Sequence, residues 1–436
     1  MTGQPTVGIY TLGCKVNQYE SEAIAERFAA RGFTVLSHTA VCDVYVINTC
    51  TVTAESDRKS KQFIRRAITR NPGAYILVTG CLSQTAPETV AAIEGVDYVC
   101  GNTEKLSVVE AAERLLAAGK KATPPMLAVS SMENAPFESM SITSFDRTRA
   151  YVKIEDGCES HCTYCIIPSA RGGIRSKPLD EVLSEVKALT ATGCREVVLT
   201  GIETASWGKD IGMSFADLLE AVDAIPGIGR VRLGSLDPSL IKPAFVERIA
   251  KLSSLAPHFH LSMQSGSNTV LALMKRKYNA EMALRGMNLL REAIPDVQFT
   301  TDMILGFPHE GEKEFEETLA FIEKAGFLMI HAFPYSARRG TPAATMDGQV
   351  PVATRHERVR ILSARQNEIR RAILEKALAT HPRLTVLFED YKDGFAYGHT
   401  DNFIQVRVPA PRSMQAIVAD VAAESTDGIC LEGHLI

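Results

Sequence analysis

Three short apolar runs near the start of the chain each end on a cysteine, and a helix-like stretch follows the first two. Residues 6–12 (TVGIYTL) lead into Gly13-Cys14, and a helical period over 20–30 stops at Gly32. Residues 44–48 (VYVIN) lead into Thr49-Cys50, and a polar, basic helical stretch over 54–69 breaks at Asn71-Pro72-Gly73. Residues 75–79 (YILVT) lead into Gly80-Cys81. Strands alternating with helices predict a parallel sheet with helices packed on it. Ligands of such sheets bind beyond the carboxyl ends of the strands. Cys14, Cys50 and Cys81 therefore fall at three carboxyl ends, positions from which residues distant in sequence can meet in space.

A Ser-, Pro- and Met-rich segment from about Lys120 to Asp146 reads as a linker. Beyond Arg149 the alternation resumes, with strands expected at 150–155, 196–200, 230–233, 258–263, 298–305 and 329–333. Helices are expected between and after them at 180–191, 214–224, 242–252, 268–274, 280–293 and 312–325. Six strand–helix repeats suggest an open or partial barrel of the TIM type. A long basic helix over 352–378 precedes a tail of short β-like runs separated by glycine, which reads as a small antiparallel barrel. The fold class is α/β. The expected divisions are an N-terminal α/β domain (1–120), a linker (121–146), a partial (βα)6 barrel (147–350), a connecting helix (351–380) and a β-barrel (381–436).

Composition narrows the class. The 436 residues are 45% hydrophobic and 22% charged, with a net charge of −4, which excludes a globally basic nucleic-acid binder but not local basic patches. No apolar stretch of about 18 residues predicts a membrane span, and the first residues do not read as a signal peptide, so a cytoplasmic protein is expected. Ten cysteines in such a chain read as metal ligands or catalytic thiols with some core residues among them, not as a disulfide framework.

The densest chemistry is Gly157-Cys158-Glu159-Ser160-His161-Cys162-Thr163-Tyr164-Cys165, a C-x3-C-x2-C run just after the first barrel strand. That is the end where barrel active sites lie. Three thiolates leave one iron of a four-iron cubane open for a substrate or cosubstrate, whereas electron-transfer clusters usually have four protein ligands. The plainer alternative is a zinc knuckle with His161 as fourth ligand.

This run resembles the signature of radical S-adenosylmethionine (SAM) enzymes. The resemblance implies that the open iron of a [4Fe–4S] cluster on Cys158, Cys162 and Cys165 chelates SAM, and that reductive cleavage gives a 5′-deoxyadenosyl radical. It gives a meaning to Glu203, in Gly201-Ile202-Glu203, as holder of the SAM amino group. Ser235, Gln264 and Asp302, near later strand ends, become candidate SAM contacts, and residues 304–308 (ILGFP) the adenine contact. Over essentially the whole chain the sequence resembles the radical-SAM methylthiotransferases. The resemblance rests on residues 11–21 (TLGCKVNQYES), 47–53 (INTCTVT), 78–81 (VTGC), 153–158 (KIEDGC), 165–172 (CIIPSARG) and 335–342 (YSARRGTP). It implies a second [4Fe–4S] cluster on Cys14, Cys50 and Cys81 that carries sulfur, with one SAM methylating that sulfur and another supplying the radical. The tail resembles the family's RNA-binding TRAM barrel. Among three branches, the run at 12–19 favours the one that modifies C2 of threonylcarbamoyladenosine next to the tRNA anticodon; the others act on isopentenyladenosine in tRNA and on a ribosomal-protein aspartate. Trp207 and His309 depart from the family pattern, standing where Tyr and Gly are usual.

Of the remaining cysteines, Cys42, Cys194 and Cys430 read as core, while Cys100, after Tyr98-Val99, is the rival fourth ligand. Basic residues gather at Arg58, Lys59, Lys61, Arg65, Arg66 and Arg70, and again at Arg355, Arg358, Arg360, Arg365, Arg370, Arg371 and Lys376. Each set is either a solvated helix face or a surface for tRNA phosphates. The tail has four Lys/Arg against eight Asp/Glu, so it cannot hold RNA by charge alone, and stacking from Phe395, Tyr397 or Phe403 would have to help. The expected partners are tRNA and an electron donor. Rival readings are a radical enzyme that uses the N-terminal cluster only for electrons, and a non-catalytic iron–sulfur or zinc RNA-binding protein.

Overall fold

The computed structural model describes residues 3–145 and 148–436. The N-terminal part is a six-stranded, all-parallel sheet in the order Thr34–Leu36, Thr6–Thr11, Val44–Thr49, Tyr75–Gly80, Tyr98–Cys100, Met126–Ala128. The central strands are apolar runs buried on both faces, as a sheet covered by helices on both sides requires. One face packs Ile24 and Phe28 of helix Lys15–Ala30 and Val108, Val109 and Leu115 of helix Ser107–Ala118. The other packs Ile64 and Ala67 of helix Ala54–Arg70 with Leu82 and Val90. Strand order reverses between Thr6–Thr11 and Val44–Thr49, the switch point where doubly wound sheets bind ligands. The first two cysteines follow those two strands.

Six parallel strands form the central part, as two hydrogen-bonded triplets. Ala150–Lys153, Glu196–Thr200 and Arg230–Leu233 make one; His258–Gln264, Gln298–Leu305 and Met329–Pro334 make the other. Isolated bridges Val231–Leu255 and Leu236–Leu261 join them. The barrel is partial, and helix Lys15–Ala30 packs along its first strand, with Tyr19 and Ala23 buried in the barrel core. The Tyr19 hydroxyl donates to Met140 O (2.5 Å) and Glu185 Oε1 (3.0 Å), fastening the two parts.

Two features of the chain differ from expectation. Residues 121–146 are not a bare linker. Met126–Ala128 adds the sixth strand of the N-terminal sheet, and Met140 and Ile142 are buried in the barrel core. The scattered Ser and Pro hid an edge strand of only three residues. The terminal barrel closes as Arg383–Lys392, Phe395–His399, Gln405–Pro409, Leu431–Leu435, Val418–Thr426. Its pairs are antiparallel except Val406–Leu431 and Arg407–Glu432, which run parallel, so it is not purely antiparallel. The connecting helix Val352–Thr380 reaches both cores, through Leu362 at the central barrel and Leu374 at the terminal one.

Candidate active site

Both cysteine sets follow strand ends, Cys81 as the first residue of the short helix Cys81–Thr85, and are held by polar side chains of the flanking motifs. In the N-terminal set, Asn17 Nδ2 donates to Leu12 O (2.7 Å) and Thr49 O (3.0 Å), and Asn48 Nδ2 to Asn17 O (3.0 Å). Thr49 Oγ1 donates to Thr79 O (2.6 Å) and Thr79 Oγ1 to Gly101 O (2.9 Å), so each strand end is pinned to the next. Glycine is required before two of the cysteines. Gly13 has φ +100°, and a Cβ there would lie 2.9 Å from Cys50 Cβ. Gly80 has φ +98°, and a Cβ would lie 2.5 Å from Thr49 O. Close approach of the three loops depends on these two missing side chains. Cys14 is exposed, while Cys50 and Cys81 are buried. Burial pushes the Cys50 thiol up to about 11, and the neighbouring Cys81 and Cys14 add to the rise. Burial also raises Cys14, opposed by the Arg171 guanidinium.

Cys100 does not join them. It is fully buried in the sheet core with Tyr98 and Val109, and burial pushes its thiol to about 11. Cys42, Cys194 and Cys430 are buried as expected.

Cys158, Cys162 and Cys165 line one wall of a cavity of about 1140 Å³ at the carboxyl ends of the barrel strands. Ser160 N–H donates to Cys158 Sγ and Ile167 N–H to Cys165 Sγ, each at 3.4 Å. Arg276 Nη1 donates to Cys162 Sγ at 3.2 Å, its other amino group holding Asp237 Oδ2 (2.9 Å) and Ser262 O (3.0 Å). The Cys158 thiol donates to Glu203 Oε2 at 3.1 Å, and burial, then Glu203, pushes it up to about 12. Burial pushes Cys165 to about 11. Glu203, Ser235, Gln264 and Asp302 line the same cavity. Gln264 has φ +66° at a break in strand register, and Asp302 Oδ2 is 3.3 Å from His260 Nε2. Of the adenine-contact segment, Ile304 lines the cavity. At Gly306, a Cβ would lie 2.4 Å from Arg355 Cγ.

The donor set suits an iron–sulfur cluster. Three cysteines share one wall, and N–H groups point at all three sulfurs, the hydrogen bonding that tunes such clusters. Among the described residues no three His, Cys, Asp or Glu side chains are arranged to hold a single metal ion, and His161 is exposed.

A buried ionic cluster joins the two cysteine sets. Arg171 closes the short helix Ile167–Arg171 that follows Cys165, and its side chain is fully buried. Nη1 donates to Glu20 Oε1 (2.8 Å) and Asp156 Oδ2 (3.0 Å), and Nη2 to Asn17 Oδ1 (2.5 Å). Lys105 and Lys153 also pair with Glu20, the latter at 3.0 Å. Four cations thus surround two carboxylates, Arg175 being the fourth at 3.4 Å from Asp156. Beside them Asn102 Nδ2 donates to Ala170 O (2.7 Å) and lies 3.6 Å from Cys81 Sγ. From the barrel's far rim, Arg338 donates to Thr51 Oγ1 and to Asp57 Oδ2 (2.5 Å), gripping the segment after Cys50. Sequence reasoning did not single out Arg276, Asn102, Arg171 or Arg338. The last two stood inside recognised motifs, so a signal existed; for Arg276 none did.

The two departures from the family pattern are accommodated. Trp207 is buried with Nε1 donating to Lys177 O (2.9 Å). His309 takes φ +64°, held by His309 N–H to Gly348 O (2.9 Å) and by Asp347 (2.8 Å).

The basic helices divide. Arg58, Arg65, Arg66 and Arg70 line an open groove on helix Ala54–Arg70, with Arg58 also paired to Glu55 (2.6 Å) and Arg70 donating to His38 O (2.6 Å). On the connecting helix most arginines are engaged within the chain: Arg355 with Tyr335 O (2.9 Å), Arg358 with Glu310 (2.9 Å), Arg365 with Glu323, and Arg370 with Gly428 O (3.2 Å). They bind the three parts together and are not a free basic face. Phe403 is not available for stacking on RNA either. It is stacked between His258 and His399 with Arg149 and Arg232 over its ring, beneath the barrel.

A partial barrel with three cysteines on a single loop at its carboxyl end defines a radical-SAM enzyme. The Radical SAM superfamily model matches residues 152–322, and the model described as uncharacterized protein family UPF0004 matches residues 6–101. The chain is 40% identical to the threonylcarbamoyladenosine tRNA methylthiotransferase MtaB of Bacillus subtilis, over 92% of this chain and 90% of that protein. It is 32% identical to the tRNA-2-methylthio-N(6)-dimethylallyladenosine synthase of Aquifex aeolicus, over 98% of both. The solved radical SAM methyltransferase TsrM of Kitasatospora setae shares the fold, with TM-score 0.57 and 15% identity over 79% of this chain and 74% of that one. The chain belongs to the radical-SAM tRNA methylthiotransferase family. Enzymes of this kind use SAM and [4Fe–4S] chemistry.

Proposed function

We propose that the protein transfers a methylthio group to C2 of N6-threonylcarbamoyladenosine at position 37 of tRNA, using one SAM as methyl donor and another as radical source. The observation that carries this reading is the shared cavity. It is lined on one side by Cys158, Cys162 and Cys165 and on another by Val52, Thr53, Ser56 and Lys59, the segment just after Cys50. A base entering it meets both cysteine loops.

Cys158, Cys162 and Cys165 would hold the radical cluster, and Cys14, Cys50 and Cys81 the sulfur-bearing one. When bound, these groups supply one-electron cleavage of SAM and the methylthio group that replaces an unreactive hydrogen. Glu203 accepts the SAM ammonium, and Ser235, Gln264 and Asp302 offer the remaining polar contacts to SAM. Arg276 and the Ser160 and Ile167 N–H groups stabilise thiolate charge at the radical site. Ile304, Phe333 and Tyr335 supply apolar wall that keeps water from a radical. The groove of Arg58, Arg65, Arg66 and Arg70 meets tRNA phosphates. The terminal barrel takes the TRAM role through Phe395 and Tyr397, an external reductant supplies electrons, and the work is done in the cytoplasm, where tRNA is. Among the described residues no helix is long and apolar enough to cross a membrane.

Anaerobic reconstitution with iron, sulfide, SAM, a reductant and tRNA, followed by nucleoside mass spectrometry, tests the reading. A methylthio group on threonylcarbamoyladenosine is expected. Its appearance on isopentenyladenosine, or SAM cleavage with no tRNA product, would overturn it.

A further inference from the structure

The two strands that carry Gln264 and Asp302 have unlike faces. In His258–Gln264, Phe259, Leu261 and Met263 enter the hydrophobic core, while His258, His260, Ser262 and Gln264 take the opposite face. In Gln298–Leu305, Phe299, Met303 and Leu305 are in the core, and Thr300 and Asp302 alternate with them. The interior of a closed TIM barrel is filled mostly by Val, Ile and Leu. Here the second face is polar, and Ser262, Gln264 and Asp302 line the active-site cavity. Below them runs a continuous chain of hydrogen bonds. His260 Nε2 lies 3.3 Å from Asp302 Oδ2, His260 Nδ1 lies 2.9 Å from Thr300 Oγ1, and His258 Nε2 lies 3.0 Å from that same hydroxyl. At the foot of the chain the His258 ring stacks on Phe403 of the terminal barrel, with ring centroids 4.4 Å apart.

Proton counting gives this chain one direction. A carboxylate has no proton to give, so His260 Nε2 donates to Asp302. A neutral His260 then offers Nδ1 as an acceptor, and the Thr300 hydroxyl donates to it. The same oxygen, its one proton committed, accepts from His258 Nε2–H. His258 Nδ1 is left as a bare acceptor, and it is buried without a partner among the described residues. The reverse direction needs a cationic His260 and strands an N–H at His258 Nδ1, and an orphaned N–H is the rarer of the two faults in folded proteins. Burial, and then Arg232, hold the His258 imidazole well below its usual pKa, which agrees with a neutral ring. At the upper end the chain engages Asp302 Oδ2, while Oδ1 accepts nothing among the described residues and the side chain keeps 33% of its surface open in the cavity wall.

Resting on the assignment of Asp302 to SAM above, we propose that His260 is a positioning residue for SAM: it fixes Asp302 with Oδ1 free to accept from the cosubstrate, and the Thr300–His258–Phe403 line anchors His260 on the terminal barrel. With Glu203 on the ammonium, the donors SAM has left are its ribose hydroxyls and the adenine amino group. A carboxylate free to turn must be ordered when SAM binds, whereas one already held loses no such freedom. The terminal barrel, by closing the foot of the chain, becomes part of SAM recognition without touching SAM.

Equilibrium dialysis of labelled SAM against the cluster-loaded full chain, without reductant, reads this apart from turnover. Asp302→Ala should weaken SAM binding about 10- to 100-fold. His260→Leu, similar in bulk but with no donor, should weaken it about 10-fold. His260→Gln, whose amide can donate to Asp302, should recover most of that loss. In turnover His260→Leu should raise KM for SAM while kcat for 5′-deoxyadenosine formation stays within a few-fold of normal. Thr300→Val and Phe403→Leu, further down the chain, should each weaken SAM about 3-fold. Iron per chain checks that each variant is loaded, and if His260→Leu does not load, Thr300→Val carries the test. Normal SAM affinity in His260→Leu, or a His260→Gln chain that binds no better than His260→Leu, overturns the proposal. Normal affinity in Phe403→Leu overturns the anchoring on the terminal barrel. Failure of the underlying assignment is separately visible, because Asp302→Ala would then bind SAM normally.

Discussion

Cys158, Cys162 and Cys165 lie within eight consecutive residues, whereas Cys14 and Cys81 are separated by two helices and three strands. The first set is local: one loop after one strand places three sulfurs, and backbone N–H groups of that same stretch reach two of them. The second set is topological. It needs a parallel sheet, two glycines at positive φ, and the Asn17, Asn48, Thr49 and Thr79 hydrogen bonds between strand ends. It also leans on the first. Ala170 and Arg171, on the helix after Cys165, contact the residues that surround Cys81 and Cys14. A local site tolerates disturbance elsewhere in the fold, while a topological one inherits every weakness of the elements that assemble it.

The largest test of this difference is removal of one sulfur from each set. Cys158→Ala should abolish both 5′-deoxyadenosine formation and methylthiolation, each by on the order of 10³-fold or more. Cys50→Ala should abolish methylthiolation to a similar extent yet leave SAM cleavage within a few-fold of normal. Chromatographic quantitation of 5′-deoxyadenosine alongside modified nucleoside separates the two. If Cys50→Ala stopped SAM cleavage as well, the two sets would not be separable in function.

Next in size is Arg171, the link between them. Arg171→Met leaves Glu20 and Asp156 buried with fewer partners, and unpairing a buried charge costs about 3–5 kcal/mol. The midpoint of urea unfolding of the cluster-free chain reads this directly. The same cluster sets an acid limit. Burial by itself would raise both carboxylates, but Arg171 and Lys153, joined at Glu20 by Lys105, hold Glu20 well below the usual range and Asp156 below it. Groups with depressed folded-state pKa values stabilise the fold above the unfolded value, about pH 4, and that contribution is lost as pH falls through the folded one. The part of the midpoint that Arg171 supports, read as the difference between the unsubstituted chain and Arg171→Met, should therefore hold level from pH 7 to about 5 and shrink below about 4. Arg338→Ala should have a smaller effect, about 1–3 kcal/mol for lost charge-assisted hydrogen bonds. Among the described residues the Arg338 side chain makes its hydrogen bonds to the segment after Cys50, so methylthiolation should fall more than SAM cleavage.

Legibility followed the same division. The C-x3-C-x2-C loop can be read from spacing, and the barrel strands from apolar runs, so residues 196–200 and 230–233 coincide with Glu196–Thr200 and Arg230–Leu233. Strand ends placed Cys14, Cys50 and Cys81, but nothing local could show that Arg171 ties them to the barrel. Glu20, Lys105, Lys153 and Lys177 are buried almost completely, and in a sequence such letters look like surface. By pattern Phe403 reads, with Phe395 and Tyr397, as an aromatic that could stack on RNA; a left-handed turn at φ +73° sends it under the barrel instead. The arginines of Val352–Thr380 repeated too regularly to reveal that their partners lie on other elements.

The smallest expected effect decides whether the second set has three members or four. Cys100 ends a strand in the same sheet as Cys50 and Cys81, so order along the sheet makes it a candidate. Its side chain instead enters the helix-covered core against Tyr98 and Val109, fully buried. Burial keeps its thiol neutral, pushed to about 11, and a neutral thiol in an apolar core behaves as a small hydrophobe. Cys100→Ala should therefore cost about 1 kcal/mol, the loss of one buried sulfur's packing. Iron per chain, the visible spectrum and methylthiolation should all stay within a few-fold of the unsubstituted chain. A fourth ligand would behave differently, since its removal would open a second coordination position on the cluster and lower iron retention during gel filtration. Loss of iron in Cys100→Ala without loss in Cys42→Ala, an equally buried control, would convert the sulfur-bearing site into a closed electron relay. The contrast between the two cysteine sets would then lie in ligand number as well as in topology.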